Sequence, residues 1–125
     1  MTRFWMVCLG GACGTGARYL MGTWAVRSWG DRFPFGTLAI NALGSFLLVV
    51  ILILGTQGRV LSPTTRVVLG TGVMGGFTTY STFNYEALRF LQQGAYGAAA
   101  AYVAATVFGC LAAGGLAVVL TRMVL

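Results

Sequence analysis

Neutral hydrogen-bonding side chains recur at helical spacing inside the apolar stretches of this sequence. Residues four apart lie on the same face of a helix, so each group forms a polar stripe or patch. The groups are Thr37, Asn41 and Ser45; Tyr102, Thr106 and Cys110; and Thr78, Ser81 and Thr82, with Tyr80 and Phe83 a turn apart. Hydroxyl and amide groups, together with the electropositive edges of aromatic rings, suit a small anion better than a cation. The carboxylate of Glu86 is the exception, and its position three residues before Arg89 predicts an ion pair along the helix.

The residues needed for enzymatic chemistry are missing from the sequence. Histidine, the most common acid–base residue, is absent, and so is lysine, which leaves the serines, threonines and cysteines without a basic partner. The single aspartate and single glutamate lie far apart, so a metal site built from side chains is not expected. The glycines between positions 10 and 16 match neither phosphate-binding pattern. The sequence therefore predicts a protein that is not an enzyme.

The composition determines what surrounds these polar groups. Of the 125 residues, 58% are hydrophobic and only 8% are charged, with a mean hydropathy of +0.83. Soluble proteins are about 25% charged, so the surface of this chain must face lipid. The net charge of +6 raises the possibility of nucleic-acid binding. The arginines are instead scattered singly at the ends of apolar runs, as membrane anchors are, and we expect no nucleic-acid partner.

Four apolar runs are long enough to cross a bilayer, which requires about 20 residues each. They cover about residues 4–26, 35–55, 67–91 and 95–121, and no domain boundary separates them, so residues 1–125 are expected to form a single domain. The third run contains Gly70, Gly72, Gly75 and Gly76 before its hydroxyl-rich patch. This combination predicts an all-α membrane protein of four transmembrane helices, the third broken within the membrane, where freed backbone groups must be buried or bind something.

Glycines spaced four apart have a second interpretation. Gly10 and Gly14 in the first run, and Gly72 and Gly76 in the third, are placed as in helix pairs whose backbones approach closely. We therefore expect these glycines to be close-packing positions between helices.

The arginines between the runs show almost no bias toward one side of the membrane. With four spans, Arg3, Arg59, Arg66 and Arg122 share one side; Arg27, Arg32 and Arg89 share the other, joined by Arg18 if its side chain extends that way. Orientation normally follows such a bias. The balance favours insertion in both orientations and an antiparallel, dual-topology homodimer, although a single orientation determined by other signals remains an alternative.

Polar stripes in a bilayer have two interpretations. They can be hydrogen bonds between helices, typically worth about 0.6 kcal/mol each, or they can line a path for a polar solute. Three stripes in one small chain favour the path.

Three segments of the sequence resemble the fluoride channels of the Fluc/CrcB family. They are Gly10-Gly11 through Gly14 with Gly16-Ala17-Arg18-Tyr19; Asn41-Ala42-Leu43-Gly44-Ser45-Phe46; and Gly75-Gly76-Phe77-Thr78-Thr79-Tyr80-Ser81-Thr82-Phe83. The resemblance implies a multi-pass protein of the prokaryotic cell membrane that forms dual-topology dimers with two fluoride pores. It also implies that fluoride leaves the cell passively, which lowers its toxicity in the cytoplasm.

The resemblance also implies roles for individual residues. The backbone carbonyls of Gly75 and Thr78 would hold a structural sodium ion at the dimer interface. The fluoride pathway would comprise Arg18 near the pore vestibule, Asn41 as a donor to the ion, the aromatic pair Tyr80 and Phe83, and a polar track of Ser81, Thr82, Tyr102 and Thr106.

The sequence departs from the family pattern at three positions. Tyr80 stands where the family usually has phenylalanine, Asn84 where serine is common, and Cys110 where a hydroxyl is common. Two other functions remain open: a small multidrug-type proton-coupled exporter and a purely structural membrane subunit. The exporter needs a carboxylate buried in the first span, and this first span has none.

Overall fold

The computed structural model describes residues 1–58 and 60–125, and all regular structure within these ranges is helical. The helices are α1 (Thr2–Trp29), α2 (Phe35–Thr56), α3 (Pro63–Val67), a π-helical segment (Val68–Met74), α4 (Gly75–Phe77), α5 (Tyr80–Gln92) and α6 (Tyr96–Val124). Residues 63–77 form the first half of the third run and α5 forms the second half. The four predicted runs are therefore confirmed as helical regions, each within a few residues of its predicted bounds.

The third run is interrupted, as predicted, but just after its glycines. Thr78 (φ −79°, ψ 155°) and Thr79 (φ −149°, ψ 107°) are both extended, and the helix restarts at Tyr80. The Thr79 hydroxyl accepts the Thr82 N–H at 3.2 Å and so caps α5. The first half begins with an equally local signal, because the Ser62 hydroxyl accepts the Thr65 N–H and Pro63 occupies the first helical turn. Segments before and after the break thus have their own start signals.

The first half of the third run packs against α1 with backbone close to backbone. A Cβ on Gly72 would lie 2.8 Å from the Val7 carbonyl, and a Cβ on Gly14 would overlap the Val73 carbonyl. The predicted close packing through glycines four apart is thereby confirmed. The two segments run in the same direction: Arg3 near the start of α1 donates to the Pro63 carbonyl at 3.3 Å, and Arg18 later in α1 donates to the Gly76 carbonyl at 3.0 Å.

The remaining helices pack on the other side of α2, whose most extensive partner is α6. An aromatic cluster joins α5 to α6: Phe83, Phe90 and Tyr102 are all buried, and Tyr102 is fully enclosed. Phe33, from the loop after α1, covers this cluster with its ring 5.5 Å from that of Tyr102.

Two helices, α2 and α6, are long and apolar enough by length and composition alone to cross a membrane. Much of the apolar surface faces outward, including Phe108 at 70% exposure and Leu111 at 67%. Exposed apolar side chains on this scale are expected where a helix faces lipid or another protein, and together with the composition they make this a membrane protein.

Candidate functional site

The break in the third run opens onto a cavity of about 310 Å³ between α2, α5 and α6. Its polar lining includes members of all three predicted groups, namely Asn41, Ser45, Thr78, Thr106 and Cys110, and one further residue, Thr79; the rings of Tyr80 and Phe83 lie beside them. Three stripes that are far apart in the sequence therefore meet in one place. None of the described residues that line this cavity carries a carboxylate.

Asn41 holds the break open through two buried hydrogen bonds. Its Nδ2 donates to the Thr79 carbonyl at 3.0 Å, and its Oδ1 accepts the Thr79 N–H at 2.8 Å. A side-chain amide thus pairs with the backbone as a neighbouring strand would, and satisfies groups that the interrupted helix cannot. Since Nδ2 carries two N–H groups, one remains for another acceptor, such as an anion in the cavity.

Hydroxyl groups cluster at the start of α5. The Thr79 hydroxyl donates to the Thr82 hydroxyl at 2.8 Å and lies 3.4 Å from that of Ser81. The positive end of the α5 dipole lies at this same point, which favours negative charge nearby. Ser81 and Thr82 do not line the cavity themselves. They lie next to Thr79, which does.

Thr106 contributes an unsatisfied donor. Its side chain is only 7% exposed, and its hydroxyl has no hydrogen-bond partner among the described residues. A buried hydroxyl without a partner costs about 1–3 kcal/mol. Ser45, on α2, differs from Thr106 because its hydroxyl donates a hydrogen bond to the Asn41 carbonyl at 2.7 Å.

The aromatic pair predicted at the site is present, with its members in different environments. The ring centroids of Tyr80 and Phe83 are 5.6 Å apart. Phe83 is 7% exposed and contacts Tyr102 at 5.3 Å, whereas Tyr80 is 78% exposed. The single chain therefore fixes one ring by packing and leaves the other projecting outward.

The predicted ion pair between Glu86 and Arg89 is wrong. Glu86 instead accepts hydrogen bonds from the hydroxyls of Thr37, at 2.9 Å, and Tyr102, at 2.6 Å. Both donors belong to the polar stripes of α2 and α6, and hydrogen bonds to a carboxylate are stronger than those between neutral groups. Tyr102 is therefore not among the residues that line the cavity: its ring packs against Phe83, which does line it, and its hydroxyl donates to Glu86.

Arg18 lies on the opposite side of the broken run from the cavity. Its Nε donates to the Gly76 carbonyl at 3.0 Å, so the guanidinium is near the end of the first half of that run. It does not line the cavity, and its side chain does not extend to either end of α1. Its assignment to the fluoride pathway remains a prediction.

Sequence reasoning missed one central residue, Thr79, and the true partners of Glu86. Thr79 was not distinguished from its neighbours, yet it is 8% exposed and joins Asn41 to the hydroxyl cluster. A threonine three residues before Thr82, at a suspected restart of a helix, is a capping signal that could have singled it out. The partners of Glu86 lie on two other helices, and no local signal predicts them.

The chain matches the CrcB-like protein family, Camphor Resistance (CrcB), over residues 5–118. It is 55% identical over 122 residues to the fluoride-specific ion channel FluC of Anaeromyxobacter dehalogenans, covering 98% of this chain and 97% of the relative. The FluC protein of Sorangium cellulosum is 48% identical over 122 residues, covering 98% and 96%. That of Caulobacter vibrioides is 44% identical over 114 residues, covering 90% of each chain. With this extent of similarity, the chain belongs to the CrcB-like family.

Proposed function

We propose that this protein is a fluoride-selective channel that lets fluoride leave the cell passively and so lowers its toxicity. The observation that carries the proposal is the cavity at the break, where neutral donors from three helices converge without a carboxylate. The names of relatives that align over nearly the whole chain support it.

The donors explain how selectivity would arise. Fluoride binds water tightly, so a pore must replace those water molecules with other donors while holding the ion loosely enough for release. The free N–H of Asn41, the unpaired hydroxyl of Thr106 and the ring edge of Phe83 are such donors, and each is neutral. A larger, more polarisable anion gains less from these small donors. No ATP and no catalytic cycle are required.

Fluoride efflux from liposomes containing the purified protein tests the function. A fluoride electrode should record rapid release once a potassium ionophore balances the charge, and chloride-loaded vesicles should retain their chloride. A proton-coupled exporter would instead need a proton gradient, and a structural subunit would release nothing, so either result would reject the channel.

The working unit in this proposal is an antiparallel homodimer of four-span chains in the cell membrane. The balanced arginines support it, and so does the outward projection of Tyr80, a pathway residue whose ring a second chain could cover. Accessibility of tags in intact cells is the test: each loop should be labelled from both sides, and exclusive labelling from one side would rule out dual topology.

The proposed dimer includes a structural sodium ion at its interface, held by the carbonyls of Gly75 and Thr78. These residues fit a hard cation, which prefers oxygen ligands. The Thr79 N–H, which would have served Gly75 in a continuous helix, donates to Asn41, and no described backbone N–H donates to either carbonyl. A Cβ on Gly75 would meet nothing within 4 Å, so this face is open to a partner. A density map of the dimer with only hydrocarbon around these carbonyls would contradict the site.

A further inference from the structure

Four carbonyls at the end of the first half of the third run and at the break, those of Met74, Gly75, Gly76 and Thr78, differ in whether they have a donor. The Met74 carbonyl accepts the Thr78 N–H at 2.9 Å. The Gly76 carbonyl accepts from Arg18 Nε at 3.0 Å, with the Thr15 hydroxyl at 3.5 Å. Those of Gly75 and Thr78 receive no backbone N–H from the described residues. Arg18 therefore occupies the Gly76 carbonyl, whereas the carbonyls of Gly75 and Thr78 have no backbone donor among the described residues.

The packing of α1 explains why Arg18 can reach this carbonyl. A Cβ on Gly76 would lie 3.1 Å from the Thr15 N and would overlap the Gly11 carbonyl. Because no side chain separates the two backbones, Arg18, one turn beyond Gly14, stands directly beside the helix end. Its positive charge also lies at the negative end of the helix dipole, where it is favourable.

We infer that Arg18 is a positioning residue for the cation site at the break, an inference that rests on the sodium ion of the proposed function. By holding the Gly76 carbonyl against α1, Arg18 fixes the peptide plane between Gly76 and Phe77, which lies in the chain between the carbonyls of Gly75 and Thr78. The carbonyls of Gly75 and Thr78 then keep the directions that a cation bound between two chains requires. Arg18 acts here from behind the site, through the backbone, without contacting the cation.

The test is the sodium dependence of the thermal unfolding midpoint of the purified dimer, with N-methyl-D-glucamine as the replacing cation. For Arg18→Met, the sodium concentration giving half the stabilisation should rise about tenfold or more, as expected for losing a hydrogen bond from a charged donor. Arg18→Lys keeps the positive charge but loses the planar guanidinium that carries Nε. Its sodium concentration for half the stabilisation should lie between those of Arg18→Met and the parent.

Arg27→Met is the matched control, since Arg27 is an exposed arginine in the last turn of α1, and it should bind sodium like the parent. Unchanged or tighter sodium binding in Arg18→Met would overturn the inference, because repulsion by the charge would then outweigh positioning. If Arg18→Met does not fold, Arg18→Lys against Arg27→Lys gives the same comparison. A parent without sodium dependence would remove the cation site and this inference with it, while liposome efflux would still test the channel separately.

Discussion

The two sides of the broken third run differ in what they present to neighbouring helices: bare backbone on one side and polar side chains on the other. On the α1 side, glycines bring two backbones into contact, and a Cβ on Gly72 or Gly76 would meet carbonyls of α1. On the α2 and α6 side, polar side chains and aromatic rings surround a cavity of about 310 Å³. A single run of residues thus presents backbone to one neighbour and donors to the other. The difference indicates that the α1 side fixes the first half of the run by close packing, whereas the cavity side holds the break through Asn41 and supplies the donors.

The largest effect is expected from Asn41→Leu, which removes both bonds to Thr79 on the cavity side. A buried N–H and carbonyl would each lose a partner, at about 1–3 kcal/mol apiece. We expect a much lower unfolding midpoint in detergent and no fluoride efflux. Ser45→Ala is the control on the same stripe, because its hydroxyl bonds only to its own helix, and it should cost less than about 1 kcal/mol. Equal stability of the two variants would show that Asn41 does not hold the break.

Substitution of the buried ring, Phe83, should affect fluoride efflux more than substitution of the exposed ring, Tyr80. Phe83→Ile removes a ring edge without supplying a donor, and we expect fluoride efflux to slow by about an order of magnitude, or about 1.4 kcal/mol on the barrier. Tyr80→Phe keeps the ring and should keep fluoride selectivity, with altered throughput. Liposome efflux measures both variants. If Phe83→Ile conducts like the parent, these rings only pack, and the aromatic part of the pathway is wrong.

Substitutions on the α1 side should change the stability of the fold and leave the selectivity for fluoride over chloride unchanged. Gly14→Ala would force a Cβ into the Val73 carbonyl and within 2.9 Å of the Phe77 N, which we expect to destabilise the fold by about 1–3 kcal/mol. Gly16→Ala meets nothing within 4 Å and should stabilise α1 by up to about 1 kcal/mol. Thermal unfolding compares the two, and the ratio of fluoride to chloride efflux should not change. A changed ratio in Gly14→Ala would show that packing on the α1 side also affects selectivity, which would contradict the division between the two sides.

The smallest effect is expected at Cys110, a thiol in the cavity lining one turn after Thr106. A thiol is a weak donor and a hydroxyl a stronger one. Cys110→Ser should therefore speed fluoride efflux by roughly two- to threefold, or about 0.5 kcal/mol. Cys13→Ser, an exposed cysteine on α1, should leave the rate as it is. Slower efflux in Cys110→Ser would mean that this end of the cavity does not contact the ion.

Local sequence patterns predicted the helical regions and most of the cavity lining. The apolar run of α2 and the spacing of Thr37, Asn41 and Ser45 were sufficient to place one polar face, because helical periodicity depends only on neighbours in the chain. The same reasoning placed Tyr102, Thr106 and Cys110 on one face of α6. It also predicted that the third run is interrupted. The structure places the interruption at Thr78–Thr79, just after the glycines that indicated it.

Only the tertiary structure decided which partner each polar group takes. Glu86 and Arg89 are three residues apart in one helix, yet the carboxylate bonds Thr37 and Tyr102 on other helices. Arg18 was expected at a pore vestibule, and the approach of α1 places it on the Gly76 carbonyl. The sequence by itself determined the helices and their polar faces, because these follow from composition and periodicity. The hydrogen-bond partners required the tertiary structure, because they depend on which helices pack together and how closely their backbones approach.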